Sequence, residues 1–217
     1  MRTLILVVIF LSPLWCRAET QLSLIPIAKK AFEQYAPGRV FYYKEVSFGD
    51  INNDGVTDFV TFISEPNIND GGVENLKITV FLGSRNNTFT FYEASGDTFN
   101  HGNVSQDLEI EKQSIYLRRS GSGGCCSRWE EKFQFKIRQD QLMLVGLELS
   151  SSANGEDAKP KDDYGTSANL FTQKVIKWSG YGKGRTEKII NVSTPKPVAL
   201  KDFNYGTFIE KYSGALW

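Results

Sequence analysis

The sequence has few of the residues that most often perform catalysis or bind transition metals. Its 217 residues include one histidine, His101, and three cysteines, of which Cys125 and Cys126 are adjacent. A zinc site takes several spaced cysteine and histidine ligands, and a cysteine nucleophile needs a base oriented beside it. The scarcity of both residue types therefore argues against a zinc enzyme and against a Cys–His hydrolase.

The adjacent cysteines leave the redox state of their thiols open. Consecutive Cα atoms lie about 3.8 Å apart across a trans peptide, which is less than the roughly 4.4–6.8 Å of an ordinary disulfide. A bridge between Cys125 and Cys126 would strain the peptide bond that joins them. Two free thiols and an intermolecular disulfide are the other possibilities, and the sequence does not choose among the three.

The sequence also lacks an excess of charge of one sign, since it has 25 lysines and arginines and 25 aspartates and glutamates. A nucleic-acid-binding surface uses a basic excess to neutralise phosphates, so no nucleic acid is expected as a partner. Beyond the N-terminus, no apolar run approaches the roughly 20 residues of a transmembrane helix. We therefore expect no membrane-spanning segment.

Residues 1–18 have the organisation of a secretory signal peptide. Arg2 precedes an apolar run from Leu4 to Leu14, and residues 16–18 form a small-x-small cleavage site. The run of about 11 residues is too short to cross a bilayer as a helix. Lipoprotein anchoring through Cys16 is disfavoured because the two residues before it are bulky. The expected location is the periplasm or the exterior of the cell.

The sharpest pattern in the chain is an oxygen-rich loop between two apolar segments. Oxygen-bearing side chains recur mostly at alternate positions from residue 50 to residue 58, and Gly55 permits a sharp turn among them. Calcium takes about six to eight oxygen ligands, and such a loop surrounds one point with them. The sequence predicts a Ca²⁺ site formed by the side chains of Asp50, Asn52, Asp54 and Asp58 and by the carbonyl of Val56. The alternative is a polar turn without metal, because Asp-Gly and Asn-Asp sequences form turns unaided.

The segment from Phe48 to Val60 resembles the calcium-binding loop of FG-GAP/VCBS-type repeats, which occur in integrin α-subunit propellers and many exported bacterial proteins. The resemblance covers about 13 residues and implies the same five ligands. Propellers repeat the loop in each blade, and the sequence has no second copy, so a propeller is not expected. An EF-hand is also disfavoured, because Thr61 stands where its bidentate glutamate would lie.

More broadly, the order of motifs is similar to a family of uncharacterised exported bacterial proteins that carry one such loop. Two later motifs contribute to this resemblance: Gly-Gly-x-x-Ser-Arg-Trp at Gly123–Trp129, and Thr-Ser-x-Asn-x-x-Thr-x-Lys-Val at Thr166–Val175. The resemblance spans most of the chain and implies no particular activity.

Hydrophobic periodicity predicts one amphipathic helix followed by strands. The helix covers about residues 22–36, with Pro26 in its first turn. Apolar alternation and β-branched or aromatic runs predict strands at 40–46, 59–63, 76–82, 89–92, 108–111, 114–119, 128–137, 141–149, 170–178 and 186–192. Residues 150–167 are expected to form a long loop. We therefore expect a mainly β fold, in which residues 19–217 form a single antiparallel β-sheet domain, blade- or sandwich-like, with an N-terminal amphipathic helix.

Two classes of function are compatible with these features. The first is an exported, calcium-stabilised binding or interaction protein without catalysis, whose partner is another protein or a glycan. A periplasmic immunity or inhibitor protein is one concrete form. The alternative is a periplasmic or secreted hydrolase of polysaccharide or phosphoester, which would use a carboxylate pair or the calcium. Its candidate acids are Asp97, Asp107, Glu130 and Glu131, and their spacing singles out none of them.

Overall fold

The structure is a computed structural model and describes residues 14–66, 74–98, 104–123, 127–153, 163–180, 182–190 and 195–216. Within these ranges the chain forms two α-helices and twelve β-strands. The helices are α1 (Leu14–Tyr35) and α2 (Tyr205–Leu216). The strands are β1 (Ser47–Gly49), β2 (Asp58–Pro66), β3 (Glu74–Gly83), β4 (Phe89–Asp97), β5 (Ser105–Glu111), β6 (Ser114–Ser122), β7 (Ser127–Arg138), β8 (Gln141–Ala153), β9 (Tyr164–Asn169), β10 (Lys174–Ser179), β11 (Thr186–Ile190) and β12 (Val198–Ala199).

The strands form two antiparallel sheets. The small sheet has the order β1-β2-β3-β4, and the large sheet has the order β11-β10-β9-β8-β7-β6-β5, with β12 paired to β8. The prediction of a mainly β, antiparallel fold with an N-terminal helix is confirmed. The structure has two sheets rather than the one of a blade-like domain. The reason lies in β2, where every residue from Asp58 to Ser64 is buried, so the small sheet needs a covering layer on each face.

The small sheet is the middle layer of the molecule. On one face, Phe59 and Phe81 pack with Phe32 of α1 in one apolar cluster. On the other face, Phe62 joins Phe133 of the large sheet in a second, larger cluster. Successive side chains of a strand point to opposite faces, so β2 contributes to both clusters. Each such side chain contributes roughly 1.5–3 kcal/mol when it is fully buried.

Helix α1 ends where the sequence predicts but begins earlier, at Leu14. Pro26 therefore lies inside the helix, and the prediction that it occupies the first turn is wrong. Ala28, Ala31 and Phe32 form the buried stripe at the expected helical spacing. Residues 1–13 lie outside the described residues, so the signal peptide stays a prediction. Within the described ranges, no helix combines the length and apolar character needed to cross a membrane.

Some predicted strand boundaries are wrong. Residues 40–46 form an irregular segment with a 3₁₀ turn at Tyr43–Glu45, and Val40 and Tyr43 are more than half exposed. Aromatic and β-branched residues form a strand only where a neighbouring strand accepts them, and no described strand pairs with this segment. The expected loop 150–167 is partly strand, because β8 continues to Ala153 and β9 begins at Tyr164.

Sequence reasoning missed the C-terminal helix α2. Asn204 caps its first turn by accepting a hydrogen bond from the backbone N–H of Thr207 at 3.0 Å. Tyr205, Phe208 and Tyr212 then pack against the core of the large sheet. The cap and the helical spacing of these aromatics were signals present in the sequence.

A buried ion pair connects α2 to the large sheet. Arg119 on β6 and Glu131 on β7 are 3% and 5% exposed, and Arg119 Nη1 lies 2.6 Å from Glu131 Oε2. The Tyr205 hydroxyl donates to Glu131 Oε1 at 3.0 Å, and the Arg119 guanidinium lies 3.5 Å from the centroid of the Tyr205 ring. Burial, followed by the negative charge of Glu131, raises the pKa of Tyr205 to about 12. The phenol therefore remains protonated and keeps donating at neutral pH.

We expect Tyr205→Phe to lower the free energy of unfolding by roughly 1.5–3 kcal/mol, because a buried carboxylate loses a hydrogen-bond donor. Tyr212→Phe is the matched control, since no hydrogen bond from its hydroxyl to the described residues is seen, and its ring packs on Phe208. The control should change stability by no more than about 0.5 kcal/mol. Urea unfolding measures both variants, and equal losses would contradict the role given to the Tyr205 hydroxyl.

Candidate metal-binding loop

The oxygen-rich loop connects β1 to β2 at the junction of the two sheets. Next to it, Ser47 Oγ accepts a hydrogen bond from the backbone N–H of Ile110 on β5 at 2.9 Å. Gly49 lies so close to β5 that an added Cβ would be 2.5 Å from Ile110 Cγ2. From the β5–β6 turn, Gln113 Nε2 donates to Asn53 Oδ1 at 2.8 Å. The loop is therefore held between the small sheet and the first hairpin of the large sheet.

Asp50 closes the first half of the loop through its carboxylate. Asp50 Oδ1 accepts the backbone N–H groups of Asn53 at 2.6 Å and Asp54 at 3.2 Å, and Oδ2 accepts that of Gly55 at 2.9 Å. Asn53 and Gly55 have φ values of 63° and 79°, in the left-handed region. Asparagine and glycine adopt that region most readily, which explains their place in the turn.

Asn52 and Asp54 continue the same pattern. Asn52 Oδ1 accepts the backbone N–H of Asp54 at 3.1 Å, and Asn52 Nδ2 donates to Asp54 Oδ2 at 2.9 Å. Asp54 Oδ1 accepts the backbone N–H of Val56 at 2.8 Å. Asp54 is exposed, so its remaining acceptor positions face solvent.

Asp58 differs from the other acidic residues because it is fully buried. Its Oδ2 accepts the backbone N–H of Ile51 at 2.7 Å, and its Oδ1 accepts that of Gly83, at the end of β3, at 2.8 Å. Burial raises the pKa of Asp58, the two N–H donors lower it, and the negative charges of Asp54 and Asp50 raise it further. The carboxylate joins the loop to β3 and lies within electrostatic reach of the two other aspartates.

The donor set has the chemistry of a calcium site, with carboxylate, amide and carbonyl oxygens from Asp50, Asn52, Asp54, Val56 and Asp58. An ionised carboxylate has about four acceptor positions, so its bonds to backbone N–H groups leave some for a cation. In the described part of the chain, no three His, Cys, Asp or Glu side chains converge closely enough to hold a metal ion. Hydrogen bonds order the loop here, and calcium coordination stays a prediction.

The other candidate residues are placed as follows. His101, Cys125 and Cys126 lie outside the described residues. Three of the four candidate acids, Asp107, Glu130 and Glu131, line one cavity of about 350 Å³ on the large sheet. The fourth, Asp97, lies at the end of β4 in the small sheet and does not line that cavity. Gln113 and Gly83 brace the loop from other elements, and no local sequence pattern pointed to either.

Comparison with models of protein families, with curated proteins and with solved structures found no match for this chain. The resemblance to FG-GAP/VCBS-type loops therefore stays a prediction from residues 48–60. Calcium binding by the loop is therefore tested by experiments on the protein itself.

We expect Asp58→Asn to destabilise the protein by roughly 1–3 kcal/mol, even with a calcium chelator present. The amide replaces one acceptor oxygen with an N–H₂ group, which leaves the backbone N–H of Ile51 or Gly83 unsatisfied in the interior. Asp54→Asn is the control, because its exposed side chain retains an oxygen for Val56, and the Asn52 Nδ2 group that loses its acceptor is open to solvent. Chemical denaturation with chelator should show little change for the control, and an equal loss there would contradict the structural role of Asp58.

Isothermal titration calorimetry should show about one calcium ion bound per chain, and calcium should raise the melting temperature. A ligand at 100 times its dissociation constant stabilises a fold by roughly 2.7 kcal/mol. Asp54→Ala should abolish both effects, whereas Glu210→Ala, which removes an exposed carboxylate on α2, should leave both unchanged. If calcium neither binds nor stabilises the native protein, the loop is only a turn.

Proposed function

We propose that this protein is an exported binding or interaction protein whose fold is stabilised by calcium in the β1–β2 loop. The cation would be held by Asp50, Asn52, Asp54 and Asp58 and by the Val56 carbonyl. It would act in the periplasm or outside the cell, where calcium reaches the millimolar range used by extracellular modules. Its partner would be another protein or a glycan.

The observation that carries the proposal is the position of the loop. Gly49, directly before the loop, lies against β5, Asn53 contacts the β5–β6 turn, and Asp58 joins the loop to β3. Among the described residues, no lysine or arginine forms an ion pair with Asp50, Asp54 or Asp58. A bound cation would reduce the repulsion among three aspartates at the point where both sheets meet.

The proposal assigns no catalytic residue, and the neighbours of the candidate acids support this. In the cavity on the large sheet, Glu131 lies 2.6 Å from Arg119, Glu130 lies 3.2 Å from Arg128, and Asp107 lies 3.9 Å from Arg118. Burial raises the pKa of Glu131 and of Asp107, and the charges of Arg119 and Arg118 lower it in part. A carboxylate that faces an arginine would have to leave that partner before it could act on a substrate.

The hydrolase remains the second candidate, because the fold gathers three of the four candidate acids around one cavity. In that case the cavity would bind a glycan or a phosphoester, and one acid would lose its arginine partner on substrate binding. The native protein would then turn over such a substrate, whereas the binding protein would only retain it.

A pulldown from periplasmic extract tests the proposal. We expect the native protein to retain a specific partner with calcium present and to lose it with a chelator. Asp54→Ala should lose the partner in both conditions, and Glu210→Ala should behave as the native protein does. Turnover of a polysaccharide or phosphoester that Glu130→Gln or Asp54→Ala abolishes without unfolding would overturn the proposal in favour of the hydrolase.

A further inference from the structure

The outer face of the large sheet forms a polar groove on the side away from the small sheet. The strand β7 shows the division: Phe133 and Phe135 are fully buried in the core, and the alternate residues Lys132, Gln134 and Lys136 are only partly buried. The groove crosses β6 to β9 and has a volume of about 620 Å³. This volume lies in the range of roughly 300–1,000 Å³ that is usual for ligand sites.

The groove has more positive than negative charge, although the whole chain is balanced. Three cations of β7 line it, Lys132, Lys136 and Arg138, and one carboxylate, Glu148 of β8. Lys132 Nζ lies 4.2 Å from the centroid of the Tyr116 ring. Within the described residues, neither Lys136 nor Arg138 forms an ion pair with a carboxylate. These charges are therefore available to an anionic ligand.

Polar and aromatic groups accompany the cations. Gln134 Nε2 donates to Ser114 Oγ and to the Tyr116 hydroxyl, both at 3.0 Å, which fixes the amide at the base of the groove. Gly146 lies beside it in the register and leaves the base open. Phe171 lines the same groove and is 50% exposed. The groove thus offers the Gln134 amide oxygen to a ligand hydroxyl and flat aromatic rings to an apolar face.

The position of the groove in the sheet distinguishes between two kinds of acidic ligand. Strand β7 has neighbours on both sides, β6 and β8, so its backbone N–H and C=O groups are used within the sheet. An extended peptide is usually recognised through backbone hydrogen bonds at a sheet edge, and this face offers none. A sugar chain can be bound by side chains alone, through its hydroxyls, its carboxylates and the apolar faces of its rings.

We propose that this groove binds an acidic oligosaccharide, with Lys136 and Arg138 contacting its carboxylates and Phe171 packing on a sugar ring. The inference rests on the proposed binding function and names the class of its partner. Same-face side chains of a strand are about 6.8 Å apart, so the cations of β7 can contact carboxylates on successive parts of one chain. Charge pairing of this kind weakens as salt screens it.

The test is calorimetric titration of the native protein with a short oligogalacturonate and with its methyl-esterified form, which has the same sugars without the charge. We expect the acidic form to bind, and the ester at least tenfold more weakly. The double variant Lys136→Gln/Arg138→Gln should bind the acidic form at least tenfold more weakly. Lys30→Gln/Lys188→Gln, which changes two exposed lysines on α1 and β11, should bind as the native protein does. High salt should weaken the native complex.

Three results would overturn the inference: no binding of the oligogalacturonate, equal affinity for the two double variants, or tighter binding of a polyglutamate peptide. Each titration is repeated with a calcium chelator, and the melting temperature is recorded. Loss of calcium stabilisation with intact oligosaccharide binding counts against the proposed role of calcium and leaves the groove supported. Calcium stabilisation without oligosaccharide binding counts against the groove and leaves the proposed role of calcium supported.

Discussion

The burial of β2 on both faces is the constraint on which the arrangement of the layers depends. Its alternating side chains enter two separate apolar clusters, one with Phe32 of α1 and one with Phe133 of the large sheet. A strand buried in this way leaves the small sheet no solvent-facing side. The small sheet must therefore lie in the middle, and the large sheet keeps one face for solvent. The polar groove lies on that free face.

The loop that precedes β2 depends on the same constraint. Asp58 is the first residue of β2 and enters the interior with it, so its carboxylate needs partners there. The backbone N–H groups of Ile51 and Gly83 supply them, and the loop is fixed to β3 as a result. Asp50 and Asp54 remain on the accessible side of the same turn. This separation gives the loop one structural carboxylate and an oxygen-rich surface beside it.

Strand β7 shows how one element of the large sheet serves both stability and binding. Its buried Glu131 is held by Arg119 and Tyr205, which attaches α2 to the sheet. Breaking a buried pair of this kind leaves an uncompensated charge, so the arrangement specifies where α2 lies. Its outward residues carry the cations of the groove. Because successive side chains of a strand point to opposite faces, Glu131 lies in the interior and its neighbours Glu130 and Lys132 lie on the outer face.

Local sequence patterns are enough to predict the mainly β fold, the end of α1 and the oxygen-rich turn, because periodicity and turn chemistry are local properties. The cap at Asn204 and the aromatics of α2 were equally local and were missed. Three features needed the folded chain: the division of the strands into two sheets, the lack of a described partner strand for residues 40–46, and the contacts of Gln113 and Gly83 with the loop. The folded chain also gathers the cations of β7 beside Tyr116 and Phe171 into one groove. These features depend on which strands become neighbours, and that choice is made by burial of the whole chain rather than by any one segment.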